Sequence, residues 1–123
     1  MKLTLYTEDF FDAAHYLNDY NGKCSNMHGH TWKVCIWVSG DEEDLDKSGI
    51  LWDFTKLKTY VKEFDHKILN ELLDFNPTAE NLSLFVFKKV KKDKPNLNFK
   101  VRVYENFTSR HSFCETGDLK ISE

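Results

Sequence analysis

Leu3-Thr4-Leu5-Tyr6-Thr7-Glu8-Asp9-Phe10-Phe11-Asp12-Ala13-Ala14-His15 is the stretch whose reading decides the fold class. Leu3, Leu5, Phe11, Ala13 and His15 share one parity, while Lys2, Thr4, Glu8 and Asp12 share the other. Successive side chains of an extended chain point to opposite faces, so this alternation predicts a strand with one buried face. Residues 30–39 repeat the pattern, with Trp32, Val34, Ile36 and Val38 on one side, and the acidic stretch 41–49 reads as a turn. Over residues 54–64 the period changes: Phe54, Leu57, Val61 and Phe64 recur at helical intervals. Asn76-Pro77-Thr78 opens a second helix, with Thr78 as N-cap, Glu80 in the first turn and Leu82, Phe85, Val86 and Val90 as the apolar face. Lys94-Pro95-Asn96 stops it. Residues 97–105 alternate again through Leu97, Phe99, Val101 and Val103, and a last short strand is expected over residues 112–115 or 119–121. Strand, strand, helix, helix, strand, strand predicts an α+β fold in a single domain spanning residues 1–123. Its expected form is a four-stranded antiparallel sheet with two helices on one face.

Composition narrows the function classes. Of the 123 residues, 41% are hydrophobic and 15% aromatic, which is ordinary for a folded domain and argues against disorder. A formal net charge of −3 with interspersed signs lacks the basic stripe of a nucleic-acid binder. The lysines at 88, 89, 91, 92 and 94 fall at the end of the second helix, where they complement its dipole. No apolar run approaches the ~18 residues that span a bilayer. The N-terminus lacks the apolar core of a signal peptide, so a cytoplasmic location is expected. Cys24, Cys35 and Cys114 show no C-x-x-C spacing; Cys35 and Cys114 read as strand thiols, and no disulfide framework is expected.

The chemistry centres on His15, His28 and His30. Residues two apart on an extended segment point the same way, so the imidazoles of His28-Gly29-His30 can reach one ion. His15 ends the apolar face of the first strand, and antiparallel pairing of the first two strands would bring all three together. Three histidines without a fourth protein ligand form the donor set of a catalytic zinc site; ordinary surface or core histidines are the plain alternative. Cys24, four residues before His28, reads as a reactive thiol near a cation, as a fourth ligand or as an ordinary loop cysteine. Asp65-His66 suits a carboxylate that orients an imidazole, but needs helix-end geometry because adjacent residues do not face each other on a helix. Glu105 shares the parity of Val101 and Val103. A carboxylate there needs a partner, such as a planar ligand offering two N–H groups, unless the strand end turns it to water.

The runs Phe11-Asp12-Ala13-Ala14-His15, Cys24-Ser25-Asn26-Met27-His28-Gly29-His30, Trp52-Asp53-Phe54, Phe64-Asp65-His66-Lys67-Ile68-Leu69-Asn70, Asn76-Pro77-Thr78-Ala79-Glu80-Asn81 and Val101-Arg102-Val103-Tyr104-Glu105 together resemble the 6-pyruvoyltetrahydropterin synthase family. The resemblance is nearest to the family's bacterial 6-carboxy-5,6,7,8-tetrahydropterin synthase branch, which serves queuosine biosynthesis. It implies a tunnelling fold of order ββααββ whose subunits close into a β-barrel, as a homo-oligomer in which two trimers stack into a hexamer. It implies Zn²⁺ on His15, His28 and His30, a catalytic thiol at Cys24, and a proton-transfer pair, Asp65 and His66, contributed by a neighbouring subunit. It also implies that Glu105 binds the pterin's 2-amino and N3–H edge. The implied substrate is 7,8-dihydroneopterin triphosphate, with triphosphate and acetaldehyde released. The three residues between Cys24 and His28 match the carboxy-forming enzymes rather than the pyruvoyl-forming ones. Asn106 stands where the family often has Thr, with Thr108 as a substitute; His111 has no assigned role, and Lys23 and Arg110 are candidate phosphate contacts.

Overall fold

The alternation of the first segment produces β1 (Lys2–His15), whose odd-numbered residues become more deeply buried toward its end. The computed structural model describes residues 1–108 and 110–120. β1 pairs antiparallel with β2 (His28–Asp41) over fourteen residue pairs, from Lys2 opposite Asp41 to His15 opposite His28. The connection between them carries a single 3₁₀ turn, Lys23–Ser25. β2 pairs with β4 (Asn98–Asn106), placing Val34 beside Val103 and Ile36 beside Val101, and β4 pairs with β5 (Ser112–Gly117). The last strand thus lies in the first of its two expected positions; of the alternative over residues 119–121, Ile121 lies outside the described residues.

The expectation of a four-stranded antiparallel sheet needs correction. Among the described residues the sheet has five strands in the order β3-β1-β2-β4-β5, and β3 (Lys67–Ile68) runs parallel to β1 against Ala13 and Ala14. A two-residue strand is too short to leave a period in the sequence. It forms because the chain leaves the first helix through Asp65 in extended backbone and His66 in the left-handed region (φ 58°). The His66 N–H then donates to the Asp12 carbonyl at 2.7 Å, which docks the chain on the β1 edge. A one-turn helix, α2 (Leu69–Leu72), follows directly. The element order is therefore ββαβααββ.

The two longer helices follow the sequence closely. α1 (Thr55–Phe64) buries Leu57, Val61 and Phe64, whereas Phe54, expected on the same stripe, stands before the first turn and is largely exposed. α3 (Ala79–Asp93) buries Leu82, Val86 and Val90, and Thr78 caps it by accepting the Asn81 N–H at 3.0 Å. These side chains join Phe11, Trp32, Val34, Ile36, Val38, Phe99, Val101 and Val103 in one apolar cluster. Each such burial contributes about 1.5–3 kcal/mol. Among the described residues, no helix is long and apolar enough to cross a membrane.

Candidate active site

The β1–β2 register brings His15 directly opposite His28 and Ala13 opposite His30. All three imidazoles therefore stand on the core side at one end of the sheet, above Trp32, whose ring meets that of His15 edge-on at 4.9 Å. The His15 Nδ1–H donates to the Pro77 carbonyl at 2.7 Å, and the His28 Nδ1–H donates to the Asn26 carbonyl at 2.7 Å. Each bond leaves the Nε2 lone pair facing inward. The two Nε2 atoms lie 3.1 Å apart, a distance at which two lone pairs repel unless a proton or a metal cation lies between them. His30 Nε2 is buried without a hydrogen-bond partner. Two nitrogens with fixed tautomers and a third that is orphaned fit a cation.

Glu105 joins this group. It lies on the face predicted from its parity, and its Oε1 sits 3.3 Å from His30 Nε2 and 3.5 Å from His15 Nε2. The donor atoms of His15, His28, His30 and Glu105 all lie within 4.8 Å of one another, an arrangement suited to a metal ion. Where a proton rather than a metal stands among the facing nitrogens, the His15 imidazole holds the Glu105 carboxyl below the ordinary carboxylate range, against the opposing effect of burial. Burial pushes His30 below the usual imidazole value, against the neighbouring carboxylate, so its lone pair is free at neutral pH. Folding thus lowers the pKa of His30. Below about pH 6.5 the unfolded chain takes up a proton that the folded site resists. Stability is therefore lost as pH falls from the unfolded value toward the lowered folded one, and Glu105 adds a loss of the same sign at more acidic pH. The thermal midpoint of chelator-treated protein is expected to drop between pH 7 and 5, and His30→Gln to flatten that drop; parallel profiles would contradict this.

The other predicted residues fall elsewhere. Cys24 sits half-buried in the 3₁₀ turn and outside the four-donor group; its carbonyl accepts the Leu17 N–H at 2.8 Å. Asp65 and His66 achieve the required helix-end geometry: Asp65 Oδ2 lies 2.9 Å from His66 Nδ1, while Asp65 Oδ1 accepts the Asp12 N–H at 2.9 Å. That backbone donor, with His66, holds the Asp65 carboxyl low. Asp12, given no site role in the sequence because it lies on the polar parity, completes this second group, and its Oδ1 accepts the Thr31 hydroxyl at 2.6 Å. A cleft of about 590 Å³ is lined by Asp12, Gly29, His30, Thr31, His66 and Asn106, together with Thr108 and the paired residues of β1 and β3. The Thr108 hydroxyl donates to the side-chain Oδ1 of Asn106 at 2.8 Å. His111 stacks on Phe107 at 4.4 Å. Lys23 and Arg110 are both exposed.

Sequence reasoning also missed what orients His15. The side-chain amide of Asn76 pairs with both backbone groups of Asn18, at 2.8 Å each, and that of Asn70 pairs with both of Tyr16, at 2.9 Å each. Two amides thus act as strand partners for the chain leaving β1, and Asn76 seats the neighbouring Pro77 carbonyl against His15. Contacts spanning 54 and 58 residues leave no local signal. Asn76→Ala is expected to destabilise the protein by about 1–3 kcal/mol. It should also weaken metal binding about tenfold, as loss of support to a ligand does. Denaturant titration and chelator competition check the two effects.

Comparison with known proteins places this geometry. A family model described as 6-pyruvoyl tetrahydropterin synthase matches residues 4–116. A 6-carboxy-5,6,7,8-tetrahydropterin synthase of Haemophilus influenzae is 33% identical over 135 aligned positions, covering 85% of this chain and 92% of the relative. A dihydroneopterin monophosphate aldolase of Pyrococcus furiosus is 36% identical over 99, covering 77% and 81%. The solved structure of Caenorhabditis elegans 6-pyruvoyl tetrahydropterin synthase superposes with a TM-score of 0.72 at 26% identity, covering 97% of each chain.

Proposed function

The chain belongs to the 6-pyruvoyl tetrahydropterin synthase family, and from that premise we propose that it is a zinc-dependent lyase acting on 7,8-dihydroneopterin triphosphate. Taking up one water, it releases triphosphate and acetaldehyde and yields 6-carboxy-5,6,7,8-tetrahydropterin, in the cytoplasmic route to queuosine. The observation that carries this reading is the convergence of the His15, His28 and His30 imidazoles, two of them with their tautomers set by backbone carbonyls. Zinc suits a set of imidazole donors. When bound, it supplies a Lewis acid for the hydroxyls of the substrate side chain.

The remaining roles belong to the chain. Cys24 takes and returns a proton at the substrate side chain. Asp65 orients the His66 ring, which moves protons from a neighbouring subunit. Glu105 accepts the 2-amino and N3–H groups of the pterin through two parallel hydrogen bonds. The chain acts as a homo-oligomer, a dimer of trimers, and association through the sheet is favoured by its edges. Among the described residues, β3 covers β1 only at Ala13 and Ala14, and β5 forms the other edge, so closure between subunits would pair both.

The carboxy product is favoured by the Haemophilus relative and by the three-residue gap between Cys24 and His28. The pyruvoyl product is the second reading, favoured by the full-length match to the Caenorhabditis structure. Supplying zinc-loaded protein with 7,8-dihydroneopterin triphosphate separates them. Triphosphate with equimolar acetaldehyde supports the first, and triphosphate without acetaldehyde supports the second. No turnover with zinc retained would reduce the site to a structural staple between two strands.

A further inference from the structure

We infer that Glu105 is the fourth metal donor of the resting protein and gives up that position when the pterin enters; the second half of this inference rests on the function proposed above. In a tetrahedral zinc site with ligand bonds of about 2.0–2.1 Å, neighbouring donor atoms lie about 3.3 Å apart. The observed spacings are 3.1 Å between His15 and His28, 3.3 Å between His30 and Glu105, and 3.5 Å between His15 and Glu105. Three edges of the donor cage thus have tetrahedral length, and two of them end on the carboxylate.

The backbone explains how Glu105 reaches the cage. Tyr104 pairs with Phe113 and Asn106 with Ser112, so the β4–β5 register slips at Glu105, leaving it as an extra residue on β4. Such bulges twist a strand and re-aim the side chain they carry. Among the described residues, the ion-pair partners of Glu105 are His15 and His30, and no lysine or arginine draws it away. The three imidazoles bring no charge to a dication, and the carboxylate supplies one negative charge in a half-buried site.

The same carboxylate cannot serve both partners at once. A two-point grip on a planar N–H edge occupies both oxygens, whereas the resting geometry commits Oε1 to the histidines. Glu105 is about one-third exposed, so it is not locked in the core, and its neighbour Asn106 lines the cleft. The site is therefore closed by four protein donors at rest and opens to hydroxyl oxygens only when the pterin draws Glu105 away.

Cobalt(II) substitution tests this without turnover. Wild-type protein loaded with cobalt is expected to give the intense visible bands of four-coordinate cobalt with no pterin present. In Glu105→Gln those bands should weaken and shift, with cobalt affinity about tenfold lower. Glu105→Asp, one methylene shorter, should fall between them and guards against misfolding of the first variant. Unchanged bands and affinity in Glu105→Gln would overturn the inference. So would a sulfur-to-cobalt charge-transfer band that disappears in Cys24→Ala, because the thiol would then hold the fourth position. Saturating 7,8-dihydroneopterin should shift the wild-type bands, and bands that stay fixed would overturn the exchange. The measurement on resting protein stands apart from the reaction: absent turnover with the four-coordinate signature intact would sink the proposed activity alone.

Discussion

Replacing Cys24 with alanine is expected to lower kcat about 10²- to 10⁴-fold while leaving the metal content and the fold unchanged. A group that transfers a proton in the reaction contributes about 10²- to 10⁴-fold, and an alanine offers no substitute. The metal is spared because Cys24 lies outside the group formed by His15, His28, His30 and Glu105. The fold is spared because Cys24 contributes to it through its backbone, the carbonyl that accepts the Leu17 N–H, and that bond survives the substitution. Turnover of 7,8-dihydroneopterin triphosphate measured beside metal analysis of the same sample decides the matter. A variant that loses its zinc assigns the thiol to the metal, and one that keeps its turnover removes it from the chemistry.

His28→Ala has the largest expected effect on metal binding. Loss of a residue that only supports a ligand costs 10- to 100-fold in affinity, so loss of a ligand itself should cost more than about 10². His28 is the informative position because it is only partly buried, whereas His15 is 1% exposed and its removal would also cavitate the core beside Trp32. At a metal concentration of 100 Kd, binding stabilises the folded state by about 2.7 kcal/mol. For a domain of this size, that raises the thermal midpoint by about 10 °C. Wild-type protein should show this zinc-dependent rise and His28→Ala should not, each measured against its own metal-free melting point. A full rise in the variant would remove His28 from the metal centre.

How much of this was legible follows from the range of each interaction. The strands and the two long helices are written in local periods, because burial on one side of a strand or helix recurs every two or 3.6 residues. Phe54 misled that reading: it has the right spacing, but it precedes the helix and has no turn before it to carry it inward. β3 was invisible because two residues make no period, and its cause is a left-handed backbone at His66 that an imidazole side chain does not announce. The same turn is what allows Asp65 and His66 to meet, so the helix-end geometry foreseen for the pair and the strand that was not foreseen have one origin.

By itself the sequence determined that two alternating strands carry His15, His28 and His30 on their apolar parity and that Glu105 shares the corresponding face of a later strand. Parity is a local property of extended backbone, so it can be read from spacing alone. Only the tertiary structure decided that these four meet. The register that sets His15 opposite His28 is a choice among slips that the alternation alone does not make. The Pro77 carbonyl that turns His15 arrives from 62 residues away, seated by an asparagine amide. The slip at Glu105, which carries the carboxylate to the histidines, arises from pairing with β5. Each of these depends on which backbone or side-chain groups meet across the fold, and the energy that selects it comes from contacts that exist only once the chain has folded.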